Sequence, residues 1–446
     1  MFLPSHLIFL VLIGSSATLA FVENIINVAH QQRSFVSPAL FASSTKSNNN
    51  EGQKKTKSQS DSNRRDFLTA ASAMSVASVV NTALPIKAKA DVTTYSDLVS
   101  NTMMASSSVS SSLKLPPMGL GAWAWGDSVF WGYNPKQDGD LKQVFDYALS
   151  KDLAFFDTAE LYGIGRSETL LGNFRSASGT IDSEKVQIAA KFAALPFRTK
   201  AKDVVNACRA SLKRLNPNGG NKPIDLYQIH FPNAWSNEDY WDGLAECYEQ
   251  GLVKSVGVSN YGVDAVRAVH SKLAERGIPL ATNQIQLSLI YKYPIENGLL
   301  EACNDLGVEV LSYSPLALGF LTGKYDKDTR PKGPRQKIAE TLFDGDAGDS
   351  FSDLIKVMRD VSENHGGAPL SQVALNWTRA KGTIPIPGAR SLKQAKQNLG
   401  ALDWNLSEEE VRALDLVSSK VPAYISPDKS PFPKEDINTK LKMFDS

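Results

Sequence analysis

Cysteine is scarce. The 446-residue chain has three, Cys208, Cys247 and Cys303. They are odd in number, scattered and without a CxxC pair, which argues against a disulfide framework and against a zinc site. Histidine is nearly as rare, and only His230, His270 and His365 lie beyond the N-terminal leader. A metal-dependent barrel hydrolase would need clustered histidine and carboxylate ligands. Three histidines on separate segments do not supply them, so no metal is expected. An excess of one charge is also missing: 48 basic and 47 acidic residues leave a net charge of +1. That gives no reason to expect nucleic acid or an anionic membrane as partner. The apolar run "LIFLVLIGSSATLA" (7–20) is too short for a comfortable membrane span. The phosphate fingerprint G-x-G-x-x-G is absent as well. "GLGAWAWG" (119–126) is glycine-rich, but its tryptophan pair suits a cleft better than a pyrophosphate turn.

The first ninety residues read as addresses. Residues 1–20 end in small residues as a signal peptide does. Residues 21–63 are rich in Ser, Asn, Lys and Arg and poor in acids, the composition of an organelle transit segment. Phe21 after Ala20 resembles the import signal of proteins sent to plastids of secondary-endosymbiotic algae. Paired arginines, a mildly apolar stretch and a terminal A-x-A over 64–90 look like a twin-arginine signal. The expected location is therefore a plastid, with the thylakoid lumen as destination and the stroma or thylakoid-associated lipid bodies as alternatives. A Ser-rich linker follows over 91–112, and a polar, Pro-rich tail closes the chain over 423–446.

From 113 to 422 one pattern repeats. Short apolar runs, "LAFFDT" (153–158), "KVQIAAK" (185–191), "IDLYQIH" (224–230), "KSVGVSN" (254–260), "LATNQIQ" (280–286), "VEVLSYS" (308–314) and "GTIPIPG" (382–388), alternate with amphipathic stretches such as 201–215, 238–253 and 369–382. A first strand is expected within 113–123. Eight strands separated by helices predict an α/β (β/α)8 TIM barrel. "YALSK" (147–151) carries the Tyr-x-x-x-Lys spacing of short-chain dehydrogenases, but in a helix before a strand. "DGDAGD" (344–349) is an incomplete calcium loop and reads as a solvated loop.

Polar residues end these apolar strands: Asp157, Lys191, His230, Ser259 with Asn260, and Tyr313, with Gln284 inside the sixth. In a barrel all C-terminal strand ends meet at one face, where the chemistry sits. Asp157 would hold Lys191 charged, and a nearby cation lowers a tyrosine's pKa. Tyr162 follows Asp157 by five residues. Such a tyrosine can protonate an alkoxide forming from a carbonyl, with His230 orienting the oxygen.

"FFDTAELYG", "AAKF", "LYQIHFP", "VGVSNY", "TNQIQLSLI", "SYSPLALGFLTGKY" and "IPIPGARSLKQAKQNLGAL" resemble the aldo-keto reductases, from about residue 113 to 420 and in order. "SETLLGNF", "AALPFR" and "IPIPGAR" look most like the plastid members of plants, and are also similar to the potassium-channel beta-subunit branch. The resemblance implies an NADP(H)-dependent carbonyl reductase with a small-molecule carbonyl substrate. It puts the catalytic tetrad on Asp157, Tyr162, Lys191 and His230. Ser259, Asn260 and Gln284 match the residues that hold the nicotinamide amide, and Tyr313 the aromatic that stacks on its ring. Ser314, Pro315, Leu316, Ala317 and Lys324 match the pyrophosphate loop. Gly388, Arg390, Gln394, Gln397 and Asn398 match the adenosine end.

Many relatives carry a Lys-Ser pair for the 2′-phosphate where this chain offers Arg390. Arginine suits phosphate by bidentate geometry, which keeps NADP ahead of NAD. Trp123, Trp125, Phe192 and Phe231, with Phe130, Trp131 and Trp235, lie just beyond strands one, three and four and are expected to wall an apolar pocket. The competing reading is a cofactor-binding sensor or structural subunit, as the channel-like relatives suggest; the intact tetrad favours the enzyme.

Overall fold

The computed structural model describes residues 113–422 apart from Pro196, Ala234 and Trp235. The leader segments, the linker, the tail and the pocket aromatic Trp235 fall outside the described residues.

Eight strands form one sheet in chain order: β1 Leu120–Gly121, β2 Phe155–Asp157, β3 Gln187–Phe192, β4 Leu226–Ile229, β5 Val256–Ser259, β6 Leu280–Gln286, β7 Glu309–Tyr313 and β8 Ile384–Pro385. Every neighbouring pair is parallel. The sheet closes on itself. Gly119 N donates to Pro385 O and Gly121 N to Pro387 O, both at 3.0 Å, and Gly121 bridges Gly388. This is the TIM barrel the repeating pattern predicts. Its strands are apolar because helices cover their outer faces while side chains fill the interior.

The two flanking strands are shorter than their sequence runs. Pro116 and Pro117 precede β1, and Pro385 and Pro387 occupy the β8 run; proline has no N–H to give a ladder. The helix Ala201–Leu215 coincides with its sequence pattern. Asn237–Glu249 and Leu370–Ala380 stop short of theirs, at Gly251 and Gly382, which take positive φ. The loop expected at 344–349 is only half a loop. Gly345 breaks the chain, and Asp346–Asn364 starts a helix with Asp346 and Asp349 in its first turn, where acids favour the helix dipole.

Phe155, Ala189, Leu226, Ala281, Leu311 and Ile386 fill the interior. Above them on β2 and β3 come Asp157 and Lys191, two residues further along, so on the same inward face. Gly257 in β5 belongs to this crowded level: a Cβ there would lie 2.2 Å from Thr282 Oγ1. The polar residues thus rest on an apolar floor at the C-terminal mouth.

Candidate active site

Lys191 is fully buried, and its three N–H bonds have three acceptors. They are Asp157 Oδ1 at 2.6 Å, Thr158 O at 3.0 Å and Tyr162 Oη at 3.3 Å. The other Asp157 oxygen accepts from Gln284 Nε2 at 2.8 Å. The carboxylate and the ammonium therefore compensate each other in place. Burial lowers the Lys191 pKa, and Asp157 opposes that.

Tyr162 Oη receives the Lys191 hydrogen bond, which leaves its own proton free to be given away. Its pKa lies well above 10.0, pushed there by burial first and then by the charge of Asp157. The sequence reading has Lys191 pulling that pKa down; in the folded pocket burial and then Asp157 push it up. His230 is held well below 6.5, by burial and then by Lys191, so its imidazole is neutral at pH 7. The ring stacks on Phe231 at 4.2 Å and meets Tyr162 edge-on at 5.7 Å. Its Nδ1 is buried and has no partner among the described residues.

The residues expected around a nicotinamide are brought together and tied to the same network. Ser259 Oγ donates to Gln284 O at 2.8 Å. Asn260 Nδ2 donates to His230 O at 3.1 Å, and Tyr313 Oη to Asn260 Oδ1 at 2.9 Å. Asn260 holds φ +64°, a backbone state that asparagine tolerates better than most residues.

The loops after β7 and β8 have a different character. Ser314 and Leu318 adopt φ +51° and +56°. Lys324, Arg335, Arg390 and Lys393 reach one cavity, and no carboxylate among the described residues pairs with any of them. Arg390 donates to Trp131 O at 2.8 Å, and both Arg390 and Arg335 lie 5.6 Å from the Trp131 ring. Burial and then the Arg335 charge push the Arg390 pKa down. Gly388, Gln394, Gln397 and Asn398 line the same cavity.

That cavity, about 790 Å³, runs from Tyr162 and His230 past Asn260 and Tyr313 to Arg390. Ala317 is the one expected cofactor residue that does not line it, being buried in a second core cluster with Phe320 and Leu321. Among the expected pocket aromatics, Trp123, Trp131 and Phe231 line the wall. Trp123 stacks on Phe130 at 5.1 Å. Trp125 and Phe192 do not. Trp125 points into the helix layer against Phe156 and Phe174, its indole donating to Ala389 O. Phe192 follows inward-facing Lys191 on a strand, so it faces out, against Tyr240.

Sequence reasoning missed Arg335 and Glu160; Lys393, near Arg390 in the sequence, reaches the cavity beside it. Arg335 sits in a 3₁₀ turn after an irregular loop, with no motif to mark it. Glu160 lines the cavity and clamps the loop after β3. It accepts from Ala193 N at 2.7 Å and pairs with Arg198 at 2.6 Å.

The family model described as "Aldo/keto reductase family" matches residues 117–419. The chloroplastic pyridoxal reductase of Arabidopsis thaliana is 39% identical over 324 residues, covering 70% of this chain and 85% of its own. A thermostable aldo-keto reductase solved with the inhibitor epalrestat is 26% identical, with a TM-score of 0.54, covering 69% of this chain and 96% of its own. The glycerol dehydrogenase AKR11B4 of Gluconobacter oxydans, at 24% identity and a TM-score of 0.60, covers 70% and 93% and supports the fold.

Proposed function

We propose, because the chain belongs to the aldo/keto reductase family, that it reduces an aldehyde or ketone to the alcohol at the mouth of its barrel, with NADPH as cofactor. One observation carries this reading. A single cavity joins a buried Asp157–Lys191–Tyr162–His230 cluster at one end to four cations, without carboxylate partners among the described residues, at the other. The cationic end fits an extended, phosphate-bearing dinucleotide: unpaired guanidinium and ammonium groups are what its phosphates would neutralise.

Lys324, Arg335, Arg390 and Lys393 would hold those phosphates, and Asn260, Ser259, Gln284 and Tyr313 would surround the ring end. The cofactor, when bound, supplies hydride to the carbonyl carbon. Tyr162 holds a proton at Oη and gives it to the carbonyl oxygen. A pKa raised by burial keeps that proton in place at neutral pH, and Lys191, donating to Oη, fixes the direction in which it leaves. Neutral His230 can donate from a ring nitrogen to the same oxygen and orient it. Trp123, Trp131 and Phe231 exclude water from the carbonyl.

The barrel, residues 113–422, is read as the catalytic domain, and residues 1–90 as a removable leader. The chloroplastic relative supports a plastid location, and does not extend to the lumen.

The test is purified protein from residue 91 onward, with NADPH absorbance followed against a panel of aldehydes, ketones and quinones that includes pyridoxal. Turnover is expected in the native protein and, in Tyr162→Phe, a loss on the order of a thousandfold or more with NADPH binding kept. Tight NADPH binding with no turnover of any carbonyl would leave a sensor instead.

A further inference from the structure

Five large apolar side chains stand exposed among the described residues: Val129, Ile164, Phe197, Ile295 and Leu416. Three of the five, Val129, Ile164 and Phe197, lie on the loops that follow β1, β2 and β3. Two of these strands, β2 and β3, carry Asp157, Tyr162 and Lys191 at their ends, and β1 is the neighbour of β2. Val129 and Ile164 line the cavity itself. Phe197 precedes Arg198, whose guanidinium grips Glu160 at 2.6 and 3.2 Å, and Glu160 lines the cavity too. Val129 and Ile164 therefore share one rim with the aromatic wall of Trp123, Trp131 and Phe231, and Phe197 stands exposed on the next loop of the same barrel face.

Ile164 is the most telling of them. It is 65% exposed and has φ +55°, between Gly163 and Gly165, which also have positive φ. A β-branched residue in that region is a true backbone outlier. It is strained and still leaves its side chain in water, so neither local conformation nor core packing accounts for it. Strain of this kind collects where a side chain serves a ligand.

We infer, resting on the reductase reading above, that this rim extends the substrate site and takes a hydrocarbon tail. The substrate class is an amphiphilic aldehyde or ketone. Its carbonyl reaches Tyr162 and His230 while its chain lies across Val129, Ile164 and Phe197. A compact polar aldehyde would leave that rim in water. The chemistry is unchanged: hydride adds at carbon, Tyr162 gives its proton to oxygen, and the tail contributes binding.

The experiment is a chain-length series, propanal to decanal, with NADPH, on the native protein, Ile164→Asn and Phe197→Ser. Full burial of a methylene would raise kcat/KM about fourfold; on an open rim the expected gain is about twofold per methylene once the chain leaves the inner cavity. Each variant should lower kcat/KM for decanal at least about fivefold more than for propanal. Ile164→Asn should not lower thermal stability, since asparagine accepts positive φ. Intrinsic tryptophan fluorescence with decanol against propanol reads the same gradient without turnover. No turnover of any carbonyl, with tighter decanol binding that the variants weaken, would overturn the reductase reading and uphold the rim. Flat profiles in both kcat/KM and alcohol binding, or equal losses for short and long chains, would overturn the rim.

Discussion

The two ends of the cavity handle charge in opposite ways. At the β2–β4 end every ionic group has its partner within the chain: Lys191 has Asp157, and Asp157 also has Gln284. At the β7–β8 end Lys324, Arg335, Arg390 and Lys393 share the space with no carboxylate partner among the described residues. A buried charge must be compensated or the fold loses stability. The first end, where Lys191 and Asp157 are buried, meets that condition by itself and keeps its geometry; the second holds its cations half-buried or exposed, so water solvates them and a ligand's phosphates can take its place. The difference separates what the fold needs from what binding needs, and mutations should respect the division.

The largest break is expected from Lys191→Met. It strips a buried carboxylate of its counter-ion, a loss of about 3–5 kcal/mol of stability, and takes from Tyr162 Oη its hydrogen-bond donor. Urea unfolding should show the loss, and turnover should vanish, while fluorescence titration finds NADPH affinity within about threefold of the native value, against a change of tenfold per 1.4 kcal/mol. Parallel loss of binding would mean that the two ends are not independent.

Arg390→Leu tests the other end. Removing one of several crowded cations should leave stability within about 1 kcal/mol. NADPH binding should weaken about 10- to 100-fold, the worth of a charge-assisted phosphate contact. NADH binding should barely move, and the salt dependence of NADPH affinity should flatten. A collapse of the fold instead would assign Arg390 to holding Trp131, whose carbonyl and ring it contacts.

The two ends also differed in how far the sequence disclosed them. Asp157, Lys191 and His230 stand out because a polar residue closing an apolar strand has few structural reasons to be there, and a barrel brings such ends together. The fold itself was legible from the same alternation. Arg335 was not: a loop arginine has no period, and only the fold shows that it shares Trp131 with Arg390. Trp125 and Phe192 show the limit for apolar residues, since adjacency to a strand end does not say which way a ring points. The direction of the Tyr162 pKa was misjudged for a related reason. A nearby cation is expected to pull it down, but burial and then Asp157 push it up, and only depth in the fold discloses that. Ile164 is ordinary in sequence and exceptional in φ.

The smallest effect, and the one that probes the compensated end without removing a charge at pH 7, is acid sensitivity through His230. Its folded pKa lies well below 6.5 because burial and Lys191 disfavour the imidazolium. In the unfolded chain it titrates near the ordinary value of about 6.5. As pH falls through that window the unfolded state binds a proton that the folded state refuses. Stability from this group is therefore full above pH 6.5 and declines below it, by up to about 1.4 kcal/mol per pH unit. His270, also lowered by burial, is present in both proteins and cancels in the difference. Unfolding midpoints of native protein and His230→Gln, compared at pH 7.5, 6.5 and 5.5, should converge as pH falls. Parallel lines would mean that the folded cavity admits the imidazolium, and that Lys191 and burial do not hold His230 neutral beside the carbonyl.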